Sequence, residues 1–290
     1  MAAEAEWSET GGEIVIVDDG STDNSLELIR EFANGKNYVR VESRANGGVA
    51  AATNLGFSLS SCPFVRFIDA DDIVVPGSTA RLSRALAEEE AGFAYGRYLN
   101  YTGSVDGQAP PDLDKARSRR VKDPLMRMLT SQAFIPSVTL AVRDQIAGCF
   151  PLPEVYRTSQ DFIMGIRFAL NTRFAELDVA CCWAPREAPG RLSGSKARMF
   201  HDSALLLADE WEFGRNGGWP SIYRRYAVRR AAGRASHYAR RHLRCSRGHM
   251  VWLGWRKLAS YLPLVGPGPE TLRRIAATYQ EALAAQDRYP

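Results

Sequence analysis

Glu13-Ile-Val-Ile-Val-Asp-Asp-Gly-Ser21 and Phe64-Val-Arg-Phe-Ile-Asp-Ala-Asp-Asp72 are built alike: a β-branched or aromatic run that stops in clustered carboxylates. A continuous apolar run of this length suits a strand covered on both faces, as in a parallel sheet. After the first, Ser21, Thr22 and Asp23 offer helix-capping side chains, and Leu26, Ile29 and Phe32 recur at helical spacing. Working outward, a second strand is expected at 38–41. A small-residue helix follows Asn46-Gly47-Gly48 at 49–59, and another helix opens at Pro76 and runs through 90. Strand, helix, strand, helix, strand with short loops predicts an α/β fold, a doubly wound sheet flanked by helices.

Further along, residues 103–120 are rich in Gly, Pro and charge and read as a loop. A strand is expected at 137–142, an amphipathic helix at 160–170, short strands at 174–177 and 179–183, and a mainly helical region from 200 onward. The 290 residues are 45% hydrophobic and 24% charged, an ordinary globular composition that excludes a disordered or collagen-like chain. No apolar stretch approaches the ~18 residues of a membrane span. Residues 1–12 carry Glu4, Glu6 and Glu9 without a basic residue or an apolar core, which is not the pattern of a secretory leader. Five cysteines without Cys-x-x-Cys spacing point to reduced, mostly buried thiols and a cytoplasmic chain.

The net charge of +4 is unevenly spread: residues 213–269 hold 12 Arg and Lys and no Asp or Glu, so the remainder is net −8. Two such surfaces meet different partners. On the basic segment, Arg224, Arg225, Arg229, Arg230, Arg234, Arg240 and Arg241 are interleaved with Tyr223, Tyr226 and Tyr238, and Trp252 and Trp255 follow. A solvated helix face is one reading, and peripheral attachment to an anionic membrane is another. No nucleic-acid reader motif accompanies the arginines, so no nucleic-acid partner is expected. His242, Cys245 and His249 lack the further ligands of a metal centre.

Ligands of α/β sheets bind at strand ends, where this chain gathers Asp18 and Asp19, then Asp69, Asp71 and Asp72. Converging carboxylates repel one another, and a hard divalent cation such as Mg²⁺ or Mn²⁺ relieves that repulsion. A phospho-receiver domain shares this layout, but it needs a Thr or Ser and a Lys ending the next two strands. Here Lys115 lies in the Gly- and Pro-rich loop.

Val17-Asp-Asp-Gly-Ser-Thr-Asp-Asn-Ser25, Asn46-Gly-Gly-Val-Ala-Ala-Ala-Thr-Asn-Leu-Gly56 and Phe67-Ile-Asp-Ala-Asp-Asp72 resemble, in order and spacing, the nucleotide-sugar half of family 2 glycosyltransferases. The resemblance extends from about residue 13 to residue 195 and implies the GT-A fold. It implies that Asp18 and Asp19 lie near the nucleoside, with Asn54 also on the nucleotide sugar. Asp69 and Asp71 would form the Asp-x-Asp pair that meets ribose and a Mg²⁺ or Mn²⁺ ion on the diphosphate. Ser159-Gln-Asp-Phe162 stands where the family carries the general base, which makes Asp161 the base, with Arg167 in the matching downstream place; Gln160 replaces the usual Glu. At Pro185-Arg-Glu-Ala-Pro-Gly-Arg-Leu-Ser193 the family's His is Ala188, and Arg186 and Arg191 would neutralise phosphate instead.

The family also begins with a central strand carrying Pro-x-Tyr-Asn, which residues 1–12 do not contain. A shortened form of a longer protein is therefore expected. Residues 1–199 are expected to be the catalytic domain and 200–290 a basic helical region. The implied activity is inverting transfer of a sugar from a nucleoside diphosphate sugar to a hydroxyl on a glycan or lipid-linked acceptor, at the inner face of the membrane. The alternative is a non-catalytic remnant or binding module of the same fold.

Overall fold

A computed structural model describes residues 11–105, 108–130, 134–186, 195–213, 219–242, 247–260, 268–280 and 283–284. In chain order the main elements are β1 (Ile14–Asp18), α1 (Ser25–Ala33), β2 (Val39–Ser43), α2 (Val49–Leu59), β3 (Phe64–Val65), β4 (Ile73–Val74), α3 (Ser78–Glu88), β5 (Phe93–Tyr101) and β6 (Ser118–Arg120). They continue as α4 (Pro124–Thr130), β7 (Thr139–Val142), α5 (Arg143–Ile146), α6 (Gln160–Asn171), β8 (Phe174–Pro185), α7 (Lys196–Asp209), α8 (Ser221–His242), α9 (Arg247–Ala259) and α10 (Pro269–Ala276). Two compact units result. The first comprises Met1–Lys122, Phe134–Val155 and Asn171–Pro189; the second comprises Asp123–Ala133, Tyr156–Leu170 and Gly190–Pro290.

The first unit is the α/β part, and its described strands form two sheets. β1 and β2 are a parallel pair, in register from Ile14 opposite Val39 to Asp18 opposite Ser43. The other sheet runs β3-β7-β5-β8-β4, with β6 also on β8. It is mixed: β5 and β8 are parallel, and the remaining pairings are antiparallel. Phe93, Tyr95, Phe134 and Phe174 fill its centre, with ring centroids 4.6 Å apart for Phe93 and Phe174. Gly96 sits where the β5–β8 register shifts; a Cβ there would lie 2.4 Å from the Cys181 sulfur, so only a bare backbone permits the approach.

The α/β class, the flanking helices and the helical C-terminal part match expectation. Several details do not. Strand pairing after Phe64 stops at Val65, and β4 follows the acidic turn as a separate two-residue strand. β5, nine residues long with its first half buried and most of its second half exposed, was not anticipated. The expected pair of short strands at 174–183 is one strand, β8, because Asp178 is carried through on hydrogen bonds rather than turning the chain. The expected loop 103–120 contributes β6, whose Arg119 pairs with Glu176 on β8.

The second unit is helical. α6 buries Phe162, Ile163, Met164, Ile166 and Phe168. From the same helix, the Arg167 guanidinium grips Glu210 by two parallel hydrogen bonds, its Nε donating to Oε2 at 3.0 Å and its Nη2 to Oε1. α8 presents Ala227, Ala231, Ala232, Ala235 and Ala239 to its neighbours, and these small residues let helices approach closely.

Candidate functional site

At the end of β1, Asp18 accepts hydrogen bonds from the Ser21 N–H at 3.1 Å and the Ser43 hydroxyl at 2.8 Å. These bonds, Ser21 foremost, hold its carboxyl below the usual carboxylate range. Asp19 accepts from the N–H groups of Gly47 at 3.0 Å and Gly48 at 2.7 Å and pairs with Arg44. The first glycine-rich segment is thus drawn onto the first acidic strand end. Gly20 makes this possible: its φ is +77°, and a Cβ would stand 2.7 Å from the Asn46 nitrogen.

Asn54, on α2, spends its amide locally. Its Nδ2 donates to the Leu152 carbonyl and to Glu154, and its Oδ1 accepts from the Leu152 N–H, which pins residues 152–154 to the helix.

The second acidic strand end is a turn, closed by the Asp72 N–H donating to the Asp69 carbonyl at 3.1 Å. Ser137 accepts from the Asp69 N–H at 2.9 Å. Arg66 fastens what lies beneath: it donates to the Ser137 carbonyl at 2.8 Å, the Cys181 carbonyl at 3.1 Å and the hydroxyls of Ser78 and Thr79. Sequence reasoning missed Arg66 and Ser137; the available signal was a lone arginine inside the apolar run 64–68. The turn leads into β4, whose Ile73 lies opposite Trp183 on β8. Asp71 is exposed on the turn, and Arg186 directly follows the end of β8. Arg186 is itself exposed, and its N–H is fixed to the Tyr101 carbonyl at 2.8 Å. Arg191 and Ala188 lie outside the described residues.

Asp161 belongs to the helical unit, in the first turn of α6. It accepts from the Phe162 N–H at 2.7 Å, and its charge favours protonated Arg230. Just ahead, Ser159 holds φ at +69°, a left-handed conformation uncommon for serine, and is gripped by Met199 and Ser203 of α7.

Asp18 and Asp19 therefore end the two-stranded sheet, and Asp69 and Asp71 flank an edge of the larger one. Among the described residues no three His, Cys, Asp or Glu side chains gather in a way that would hold a metal ion alone. Asp69 and Asp71 still suit Mg²⁺ or Mn²⁺, because such ions are often held by one or two carboxylates together with substrate phosphates.

Residues 7–147 match the family model described as Glycosyl transferase family 2, and this part of the chain is a family 2 glycosyltransferase domain. The glycosyltransferase GlyG of Streptococcus pneumoniae is 41% identical over 93 residues, 32% of this chain and 31% of that protein. The succinoglycan biosynthesis protein ExoU of Rhizobium meliloti is 27% identical over 228 residues, 68% of this chain and 61% of that protein. The chain spans 31%, 24% and 13% of three curated relatives it matches. Crystal structures of S. aureus TarS residues 1–349 share the fold, the GT-A fold: the TM-score is 0.58 at 17% identity, over 93% of this chain and 82% of that one. TarS has also been solved with UDP and with UDP-GlcNAc.

Proposed function

We propose that the chain transfers a sugar from a nucleoside diphosphate sugar to a hydroxyl acceptor with inversion at the anomeric carbon. The carrying observation is the Asp69–Asp72 turn, braced by Ser137 and Arg66. In this reading Asp18 and Asp19 shape the nucleoside side. Asn54 acts through the 152–154 segment it pins, and Arg186 and Arg191 neutralise phosphate. Asp69 and Asp71 would hold a Mg²⁺ or Mn²⁺ ion, which supplies Lewis-acid stabilisation to the leaving diphosphate. The acceptor oxygen attacks the anomeric carbon opposite the leaving group, and a glycosidic C–O bond forms as the bond to diphosphate breaks. The bonding electrons leave with the diphosphate, and the acceptor proton passes to the Asp161 carboxylate. Residues 1–199 are proposed as the catalytic part and 200–290 as its helical, basic complement.

Two measurements test this. UDP, the nucleotide seen with TarS, should bind more tightly in calorimetry with Mn²⁺ than with chelator, and Asp71→Asn should erase that difference. Metal-independent binding overturns the assignment of Asp69 and Asp71. Asp161→Asn should keep UDP binding and lower transfer about 10²- to 10⁴-fold. Transfer within about tenfold of the parent returns Asp161 to the role of a first-turn acid at a helix N-terminus.

One observation favours the second reading, a non-catalytic module of this fold: among the described residues β1 and β3 are each paired along one edge only. Metal-dependent UDP binding without transfer or donor hydrolysis would support that reading.

The acceptor is proposed to be a glycan or lipid-linked glycan, met at the cytoplasmic face of an anionic membrane. Support comes from α9, where Val251, Trp255 and Leu258 are 72%, 51% and 60% exposed along one helix face. They lie within the segment that carries no acidic residue. Among the described residues no helix is long and apolar enough to cross a membrane. Such a face suits interfacial contact with anionic headgroups. Sedimentation with phosphatidylglycerol vesicles should fall with salt and in Trp255→Ser; equal binding of the variant overturns this part.

A further inference from the structure

Within the helical unit, α7, α8 and Tyr279 line a narrow recess that is partly open to solvent. Its polar wall consists of Arg230 and Arg234, one turn apart on α8, with Ser203 and Tyr279; no lining residue is acidic. Like charges at this spacing repel, and burial removes the water that would otherwise screen them. Both guanidinium groups are braced on rings, Arg230 at 4.8 Å from the centroid of Phe162 and Arg234 at 5.1 Å from that of Phe200.

Arg230 uses one nitrogen on the protein, Nη1 donating to the Leu129 carbonyl at 2.9 Å near the end of α4. Its Nε and Nη2 are buried with no hydrogen-bond partner among the described residues, and so is the Tyr279 hydroxyl. Buried polar atoms are nearly always satisfied, and exceptions call for a specific explanation. Here the unmet groups are two guanidinium nitrogens and a hydroxyl, all able to donate and set beside a second cation. The wall therefore holds donors in excess and no acidic side chain.

We propose that this recess binds the oxygens of a phosphate group. Guanidinium forks match tetrahedral oxyanions through paired N–H donors, and phosphate would supply the acceptors that Arg230 and Tyr279 lack. Burial, together with the charge of Arg234, draws the pKa of Arg230 down to about 9, and the charge of Asp161 opposes that fall. A bound anion would reverse the cost by restoring a counter-charge. The link to Asp161 suggests the source. If Asp161 is the base, a reading on which this step rests, the phosphate belongs to the acceptor and anchors it beside the attacking hydroxyl. Free phosphate acting as an effector is the other source of the same chemistry.

The test is titration of the full chain with inorganic phosphate by calorimetry, with divalent cations chelated so that the metal–diphosphate site does not contribute. Saturable binding is expected, with Arg234→Met and Arg230→Met each weakening it at least tenfold and Tyr279→Phe a few-fold. In case a variant does not fold, the parent's melting temperature should rise with phosphate and not with chloride of equal ionic strength. Glycerol phosphate separates the sources: binding by it supports an acceptor-borne phosphate, and binding of inorganic phosphate alone supports an effector. No saturation at tens of millimolar with no melting shift, or unchanged binding in both folded arginine variants, overturns the proposal. UDP binding with Mn²⁺, measured on the same variants, reports separately on the donor reading.

Discussion

Arg167 and Arg230 are both held inside the helical unit, and their surroundings are opposite. Arg167 meets Glu210 through a two-bond fork, with the guanidinium also 4.5 Å from the ring centroid of Phe213. Arg230 meets backbone carbonyls, a ring and another arginine, and the charge of Asp161 offsets only part of the cost of its burial. A buried charge with its counter-charge in place is a fixture of the fold, because both desolvation costs are offset within the protein. A buried charge compensated only in part leaves an interaction to be completed from outside. In the α/β unit neutral donors do similar work: Asp18 and Asp19 are tied by hydrogen bonds to the loops around them.

Breaking the completed pair should have the largest effect on stability. Glu210→Gln leaves Arg167 buried without a counter-charge and should cost about 3–5 kcal/mol, a large share of the 5–15 kcal/mol typical of a folded domain. Urea denaturation reads this directly, and a change below about 1 kcal/mol would mean that water reaches Arg167 after all.

Arg230→Met should behave differently. It loses carbonyl hydrogen bonds but also removes a buried charge that Asp161 compensates only in part, so stability should stay within about 1 kcal/mol of the parent when no oxyanion is present. A sharper form of the comparison uses pH. Arg230 holds its proton less tightly in the folded chain than in the unfolded one. Above about pH 9 the unfolded state therefore carries more protons, and stability should gain with rising pH. The difference between parent and Arg230→Met across pH 8 to 10.5 should show that gain in the parent alone.

Asp18 supplies the smallest effect. Its folded pKa is depressed, so its contribution is complete above the ordinary aspartate value and is lost as pH falls below that value through the folded one. Asp18→Asn should lower stability at neutral pH and flatten the acid limb below about pH 4, so that parent and variant converge at low pH. Ser43→Ala, which removes one of the bonds holding the charge, should do the same in part, at a cost of about 1 kcal/mol.

Much of the α/β part was legible because its cues are local. β1, β2, α2 and α3 follow from runs of apolar residues and from turn chemistry within a few positions. β4 was not legible: two residues between Asp72 and Val75 carry no periodicity, and the strand exists through its pairing with Trp183 and Cys182. The glycine at position 96 gave little hint of β5, since its reason is the Cys181 side chain on a neighbouring strand.

The same division holds for the candidate site. From the sequence alone came the acidic clusters, their order around the glycine-rich segment, Asp161 at a helix start, and a family resemblance that the matched segment then bore out. Residue type and spacing determine these, because hydrophobic periodicity, capping and motif spacing are properties of neighbouring residues. Tertiary structure alone decided that Asn54 is engaged by residues 152–154, that Arg66 braces the acidic turn through Ser137 and Cys181, and that Arg167 is compensated while Arg230 is compensated only in part. Each of those outcomes depends on which distant backbone or side chain arrives at hydrogen-bond distance. A buried charge is stable or unmet according to that arrival, which no local pattern encodes.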